Sequence, residues 1–183
     1  MRIAICGAIC SGKTTLSHSL MTAFGMERYA FADTVKEYAT DLFGMERKNR
    51  KLIQDFAEKM KEIDEDVWIK NLDKTLTNRG GMDNVVIDDL RFMNEYQYLL
   101  NHNFYIIRIN IEKIDQLKRL RSTYPDNWIE HVDRLTHRSE NQRTLFMVDL
   151  DITADDDGFD EVFKHIVENP YDHPGLYTHI ECI

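Results

Sequence analysis

The apolar-leaning start "MRIAI" runs directly into "CGAICSGKTT" (6–15), and this junction limits the folds open to the chain more than any other stretch. Gly7, four intervening residues, Gly12, Lys13 and Thr14 reproduce a phosphate-binding loop pattern, and the context reads as strand, loop, helix. Glycines let backbone N–H groups turn inward around an anion, and the following helix offers its positive N-terminal end. Lys13 can reach the β/γ-phosphates and Thr14 can ligate Mg²⁺. The stretch therefore predicts a cradle for a nucleoside triphosphate, with Gly7, Ala8, Cys10, Ser11, Gly12, Lys13, Thr14 and Thr15 as its contacts.

The rest of the chain suits such a loop. Short β-rich runs, "RIAIC", "RYAFA" (28–32), "NVVID" (84–88), "NFYIIRI" (103–109) and "MVDLDI" (147–152), alternate with helical patterns at about 13–24, 34–43, 50–62, 66–77, 93–101, 113–122, 140–145 and 158–168. This alternation predicts an α/β P-loop three-layer sandwich, a parallel five-stranded sheet with helices on both faces. Asp33, Asn110 and Ser139 read as N-caps, the last with Gln142 as a capping box. With 183 residues and 43% hydrophobic content, one domain with a real core is expected. Its span is about 1–169, with a helical insertion at 34–77 placed to grasp a second substrate and an irregular tail at 170–183.

The formal charge of -9 argues against polymeric nucleic acid as a partner, which would need many Lys and Arg against phosphates, and leaves a small anionic ligand open. Three cysteines, Cys6, Cys10 and Cys182, read as reduced thiols in a cytoplasmic protein. No signal-like or membrane-spanning stretch is evident, so no membrane partner is expected.

"VVIDDLRFMNE" (85–95) has the form of a buried strand ending in carboxylates. In a P-loop protein an acid there holds Mg²⁺ or its water shell, which makes Asp88 or Asp89 the metal partner alongside Thr14; either could instead be a turn residue. Arg91 lies just beyond, at the sheet edge where ligands sit in open α/β folds, and could instead pair with Glu95. Asp89, Arg91 and Glu95 are candidates for contact with an acceptor.

Beyond the loop, "FADTVK" (31–36), "RKNRKLIQ" (47–54), "DVWI" (66–69), "DDLRFMNE" (88–95), "HRSE" (137–140) and "DITADDDGFDE" (151–161) occur in the order found in bacteriophage-type deoxynucleoside monophosphate kinases. The chain resembles that family over about residues 1–168. The resemblance implies a P-loop kinase core that uses ATP and Mg²⁺ to convert deoxynucleoside monophosphates to diphosphates, in the host cytoplasm if the source is viral. Residue by residue, it implies that Asp33 and Lys36 belong to the acceptor pocket. Arg50 and Gln54, at i and i+4 on one helix face, would then meet phosphate and base edge. Trp68 could wall the base by stacking or simply be core. Thr34 stands where many relatives carry proline, and "HRSE" departs from their proline-containing form.

The stretch 119–143 is rich in Arg and His and resembles the lid of such kinases, with Arg121, Arg134 and Arg138 as candidate catalytic cations beside Lys13. The loop after the last strand would border the adenine through Ala154 to Gly158, which brings in Asp155 and Gly158. His131 and His137 match no zinc pattern. "TADDDGFDEVFK" fails as a calcium loop, because Lys164 falls where the bidentate Glu should be.

A monophosphate acceptor is largely dianionic at neutral pH and needs no general base, so catalysis would rest on positioning and cationic screening. A hydroxyl acceptor, either a small metabolite or a hydroxymethylated base, would instead need Asp33 as base. A regulatory P-loop ATPase is the third reading, and the lack of an Asn-Lys-x-Asp sequence favours ATP over GTP. A homodimer stays open.

Overall fold

The computed structural model describes residues 1–45, 49–133 and 142–169. Its strands are β1 (Arg2–Gly7), β2 (Glu27–Tyr29), β3 (Val85–Leu90), β4 (Tyr105–Asn110) and β5 (Leu150–Thr153). They form a five-stranded sheet in the order β2-β3-β1-β4-β5, and β1 pairs in parallel with both β3 and β4. The phosphate loop thus leaves the central strand. Every residue from Ile3 to Gly7 is buried, as a strand covered on both faces requires.

Helix α1 (Lys13–Phe24) follows the loop, α5 (Met93–Asn101) follows β3, α6 (Lys113–Thr123) follows β4, and α8 (Asp156–Glu168) follows β5. Short α7 (Trp128–Asp133) and a 3₁₀ turn at Arg143–Leu145 lie between α6 and β5. A core cluster joins Ile3 and Ile5 of β1, Ile107 and Ile109 of β4 and Ile152 of β5 to Leu16 and Leu20 of α1 and to Val162 and Ile166 of α8. Apolar residues one turn apart on those two helices supply the stripe that the sheet buries.

The chain divides into two compact units, one made of residues 1–28 with the chain from 83 onward, the other of Tyr29–Met82. The second unit is helical: α2 (Phe31–Phe43), α3 (Arg50–Ile63) and α4 (Val67–Asn78), with α2 packed on both α3 and α4. Asn49 caps α3 by accepting from the Leu52 amide. No described helix is long and apolar enough to cross a membrane.

Five parallel strands with helices on both faces agree with the sequence reading, while several boundaries differ. The strand expected at 28–32 ends at Tyr29, and Phe31 already begins α2 with Ala30 as its cap. Asp33 therefore sits in the first turn of α2, where a carboxylate complements the helix dipole, and is not the N-cap. Asn110 is the last residue of β4, and Glu112 occupies the cap position of α6. The final strand starts at Leu150, three residues after the predicted start at Met147. Ser139, half of the expected capping box, and the tail at 170–183 lie outside the described residues.

Candidate nucleotide site

Gly12 has φ 99 and ψ 12, a left-handed conformation that closes the loop and opens α1. A side chain there would be strained, and its Cβ would lie 2.8 Å from the Phe159 ring. The first turn of α1 carries no acidic residue, so nothing of its own neutralises the positive end of the helix. Lys13 folds back over the loop, its Nζ donating to the carbonyl oxygens of Gly7 at 2.9 Å and Ala8 at 2.7 Å. The Ser11 amide donates to the Ala8 carbonyl at 3.2 Å, making a tight turn. Cys10, between them, has φ 62, a value uncommon for a residue with a side chain. Ser11 is fully buried, and its hydroxyl has no hydrogen-bond partner among the described residues. Thr14 and Thr15 are exposed at the start of α1.

Strand β3 brings two carboxylates alongside β1. Ala4 pairs with Ile87 and Cys6 with Leu90, so β3 carries one extra residue over that interval, a bulge that falls on Asp88 and Asp89. Both lie within the strand, which runs two residues past the sequence estimate. Asp88 is buried and takes two bonds from Arg28, from Nε at 3.0 Å and Nη2 at 2.7 Å, both to Oδ1. Asp89 is partly exposed. A guanidinium engages Asp88, and Asp89 is the more exposed of the two carboxylates. No group of three or more His, Cys, Asp or Glu suited to a metal occurs among the described residues. Thr14 with one carboxylate nonetheless fits Mg²⁺, which takes one or two protein oxygens and completes its shell with phosphates and water.

Glu95, a candidate acceptor contact, bonds its own helix start. It is buried in the first turn of α5, and its Oε2 accepts from the backbone amides of Arg91 at 2.8 Å and Phe92 at 3.0 Å. Its carboxylate thus satisfies the start of the helix, as an N3 glutamate does, and it bonds the backbone of Arg91 where a side-chain pair was one expectation. The Arg91 residue itself is exposed.

At the turn after β5, Asp155 also serves a helix. Its Oδ1 accepts from the Gly158 amide and from the Thr153 hydroxyl, both at 2.8 Å. These bonds, the hydroxyl first, hold its pKa below the usual carboxylate value. Asp155 therefore caps α8, and Gly158 fits closely under Thr153. Arg119 on α6 links this turn to the phosphate loop by donating to the carbonyls of Ala154 and Cys10. Sequence reading placed Arg119 in the basic stretch without singling it out, and Gln116, which bonds the Ile9 carbonyl, carried no sequence signal. Arg121 is exposed in the last turn of α6. Arg134 and Arg138 lie outside the described residues.

In the helical unit, Lys36 Nζ donates to Asp33 Oδ1 at 2.7 Å, so these two acceptor candidates pair with each other while staying partly exposed. Gln54 is exposed on α3, and Arg50 begins that helix. Trp68 is 5% exposed, packs against Phe56 with ring centroids 5.8 Å apart, and donates its indole N–H to the Ala57 carbonyl at 3.3 Å. Its ring is thus part of the core of the helical unit, the structural one of the two roles its sequence position allowed.

A parallel sheet whose central strand feeds a glycine-lysine-threonine loop into a helix defines the α/β P-loop kinase fold. A family model described as an AAA domain matches residues 3–145. The chain belongs to that AAA-domain family. Solved structures share its fold. The shikimate kinase from Aquifex aeolicus has a TM-score of 0.54 at 17% identity, covering 94% of this chain and 99% of its own. The shikimate kinase from Bacteroides thetaiotaomicron has 0.52 at 16%, covering 93% and 98%. The YorR protein from Bacillus subtilis, solved with phosphorylated GDP, has 0.53 at 13%, covering 93% and 98%. No curated protein sequence matches the chain.

Proposed function

We propose that this chain is an ATP- and Mg²⁺-dependent phosphotransferase whose acceptor is a deoxynucleoside monophosphate. The observation that carries the reading is the loop-to-helix junction, where Gly12 in left-handed geometry aims the acid-free start of α1 and Lys13 lies over the loop. Such a junction binds phosphate through backbone amides and one mobile cation. The Lys13 ammonium is placed to screen charge on a triphosphate at the loop, and Thr14 and Asp89 would hold Mg²⁺, which when bound neutralises phosphate charge. Asp33, Lys36, Arg50 and Gln54 are the groups offered to the acceptor, and Arg91, Arg121, Arg134 and Arg138 are the further cations. A dianionic acceptor phosphate requires no base, so these residues act by orienting and screening. The order of motifs shared with bacteriophage-type deoxynucleoside monophosphate kinases supports this acceptor class.

A small-metabolite acceptor is the second reading, favoured by the two shikimate kinases that share the fold. In that case Asp33, partly exposed and paired with Lys36, would take the hydroxyl proton. A coupled ADP-release assay with ATP, Mg²⁺ and each of dTMP, dGMP, dCMP, dAMP, dUMP and shikimate separates the two. The proposal expects release that depends on a monophosphate and disappears in Lys13→Ala. Release with shikimate alone would replace the acceptor, and release without any acceptor would indicate an ATPase.

A further inference from the structure

Two side chains of α6 grip consecutive carbonyls of the phosphate loop. Gln116, 5% exposed, donates Nε2 to the Ile9 carbonyl at 3.1 Å. One turn on, Arg119 donates Nη1 to the Cys10 carbonyl at 3.4 Å and Nη2 to the Ala154 carbonyl. The i, i+3 spacing sets both on the same helix face. The residue they bracket, Cys10, is in the left-handed region at φ 62, a conformation that persists in a residue with a side chain when its surroundings impose it. A trans peptide sets each C=O opposite the next N–H. Drawing the Ile9 and Cys10 oxygens toward α6 therefore turns the Cys10 and Ser11 N–H groups away from it, the latter into its bond with Ala8. Arg119 adds a second effect, because its fork spans from the phosphate loop to the turn between β5 and α8.

We propose that Gln116 and Arg119 are positioning residues of the nucleotide site: they hold the phosphate loop in its anion-receiving form, and Arg119 fixes the loop relative to the Ala154 turn. This rests on the triphosphate reading of the loop. The residues act through the backbone, so the change in binding follows from loop geometry and not from the loss of a ligand contact. The guanidinium matters because it offers a separate nitrogen, Nη1 and Nη2, to each of two carbonyls on different segments, whereas an ammonium must reach both from a single atom.

The test is calorimetric titration of the full chain with inorganic tripolyphosphate, which reads the loop without a base. Gln116→Met keeps the side-chain length and loses the donor; Arg119→Lys keeps the charge at an exposed position and loses the fork. Each is expected to bind tripolyphosphate about tenfold more weakly, the scale of one hydrogen bond. In the transfer reaction KM for ATP should rise by a similar factor, with kcat and the acceptor KM unchanged, which a general loss of structure would not produce. Wild-type affinity in either variant would overturn the assignment for that residue while leaving the nucleotide site standing. Failure of the unaltered chain to bind tripolyphosphate would overturn both.

Discussion

Arg28 reaches across from β2 to place two donors on one oxygen of Asp88, with the Asp88 side chain 2% exposed and that of Arg28 27%. A buried carboxylate engaged in this way serves the sheet, and the proposed site assigns the metal to its more exposed neighbour Asp89. Asp88→Asn is expected to cost about 1–3 kcal/mol, because it removes one partner of a largely desolvated pair. Asp89→Asn should change stability by no more than about 0.5 kcal/mol and raise the Mg²⁺ concentration needed for half-maximal turnover. Urea midpoints together with Mg²⁺ titrations of activity distinguish these, and the opposite pattern would return the metal to Asp88.

Gly158 sets helix propensity against packing. Alanine in the first turn of α8 would gain up to about 1 kcal/mol in propensity. Its Cβ, however, would lie 2.2 Å from the Thr153 carbonyl oxygen, which is backbone and cannot rotate aside. Relief of that contact must also disturb the bond from the Gly158 amide to Asp155 at 2.8 Å. Overpacking wins, and Gly158→Ala should destabilise the protein by about 1–3 kcal/mol in a denaturant melt. A stabilised variant would show that the turn is free to move.

Trp68→Phe should act on stability rather than on the acceptor. The ring is buried against Phe56, and its N–H bonds the Ala57 carbonyl. The variant loses that bond and some volume, at a cost of about 1–3 kcal/mol. The acceptor KM should stay within about twofold of wild type. A large rise in that KM with unchanged stability would restore the base-stacking role.

The Arg108–Asp151 pair on neighbouring strands predicts a pH effect. The bond from the Arg108 guanidinium, followed by its charge, lowers the Asp151 pKa from the ordinary 3.8, and Asn110 adds a further donor. A carboxylate depressed on folding stabilises fully above its unfolded pKa, and its contribution disappears as pH falls through the folded value. Asp151→Asn should therefore lower the thermal midpoint at pH 7 and converge with wild type only as pH falls below the ordinary carboxylate range. Asp151 is 43% exposed, so the effect is modest and shrinks in high salt. Parallel midpoint curves at all pH values would dismiss the pair as a contributor.

The centre of the sheet was legible in the sequence because β1, β3 and β4 carry apolar runs, and the phosphate loop because its glycines and lysine are local in sequence. The miss at β3 has a specific cause: Asp88 and Asp89 look like strand-terminating residues until Arg28, sixty positions away, supplies the counterion that lets Asp88 be buried. The capping role of Glu95 is hidden for the opposite reason, since its partners are backbone amides only three and four residues back and a capping glutamate looks like any charged residue near a site. Trp68 keeps two roles open in the sequence because periodicity gives its helix face without showing that it packs against Phe56. Gln116 and Arg119 could not be found from spacing, because their targets are carbonyls brought near only by the β1–β4 pairing.

That same pairing has a consequence for the order of events during synthesis. Ile3 of β1 pairs with Val86 on one side and Tyr105 on the other. The phosphate loop leaves the ribosome before both strands that flank its root and before the helix that grips its carbonyls. Such distant pairings are slow to close. A nascent chain arrested before β4 should therefore fail to retain ATP-agarose, and one arrested after α6 has exited the ribosome should have the means to begin doing so.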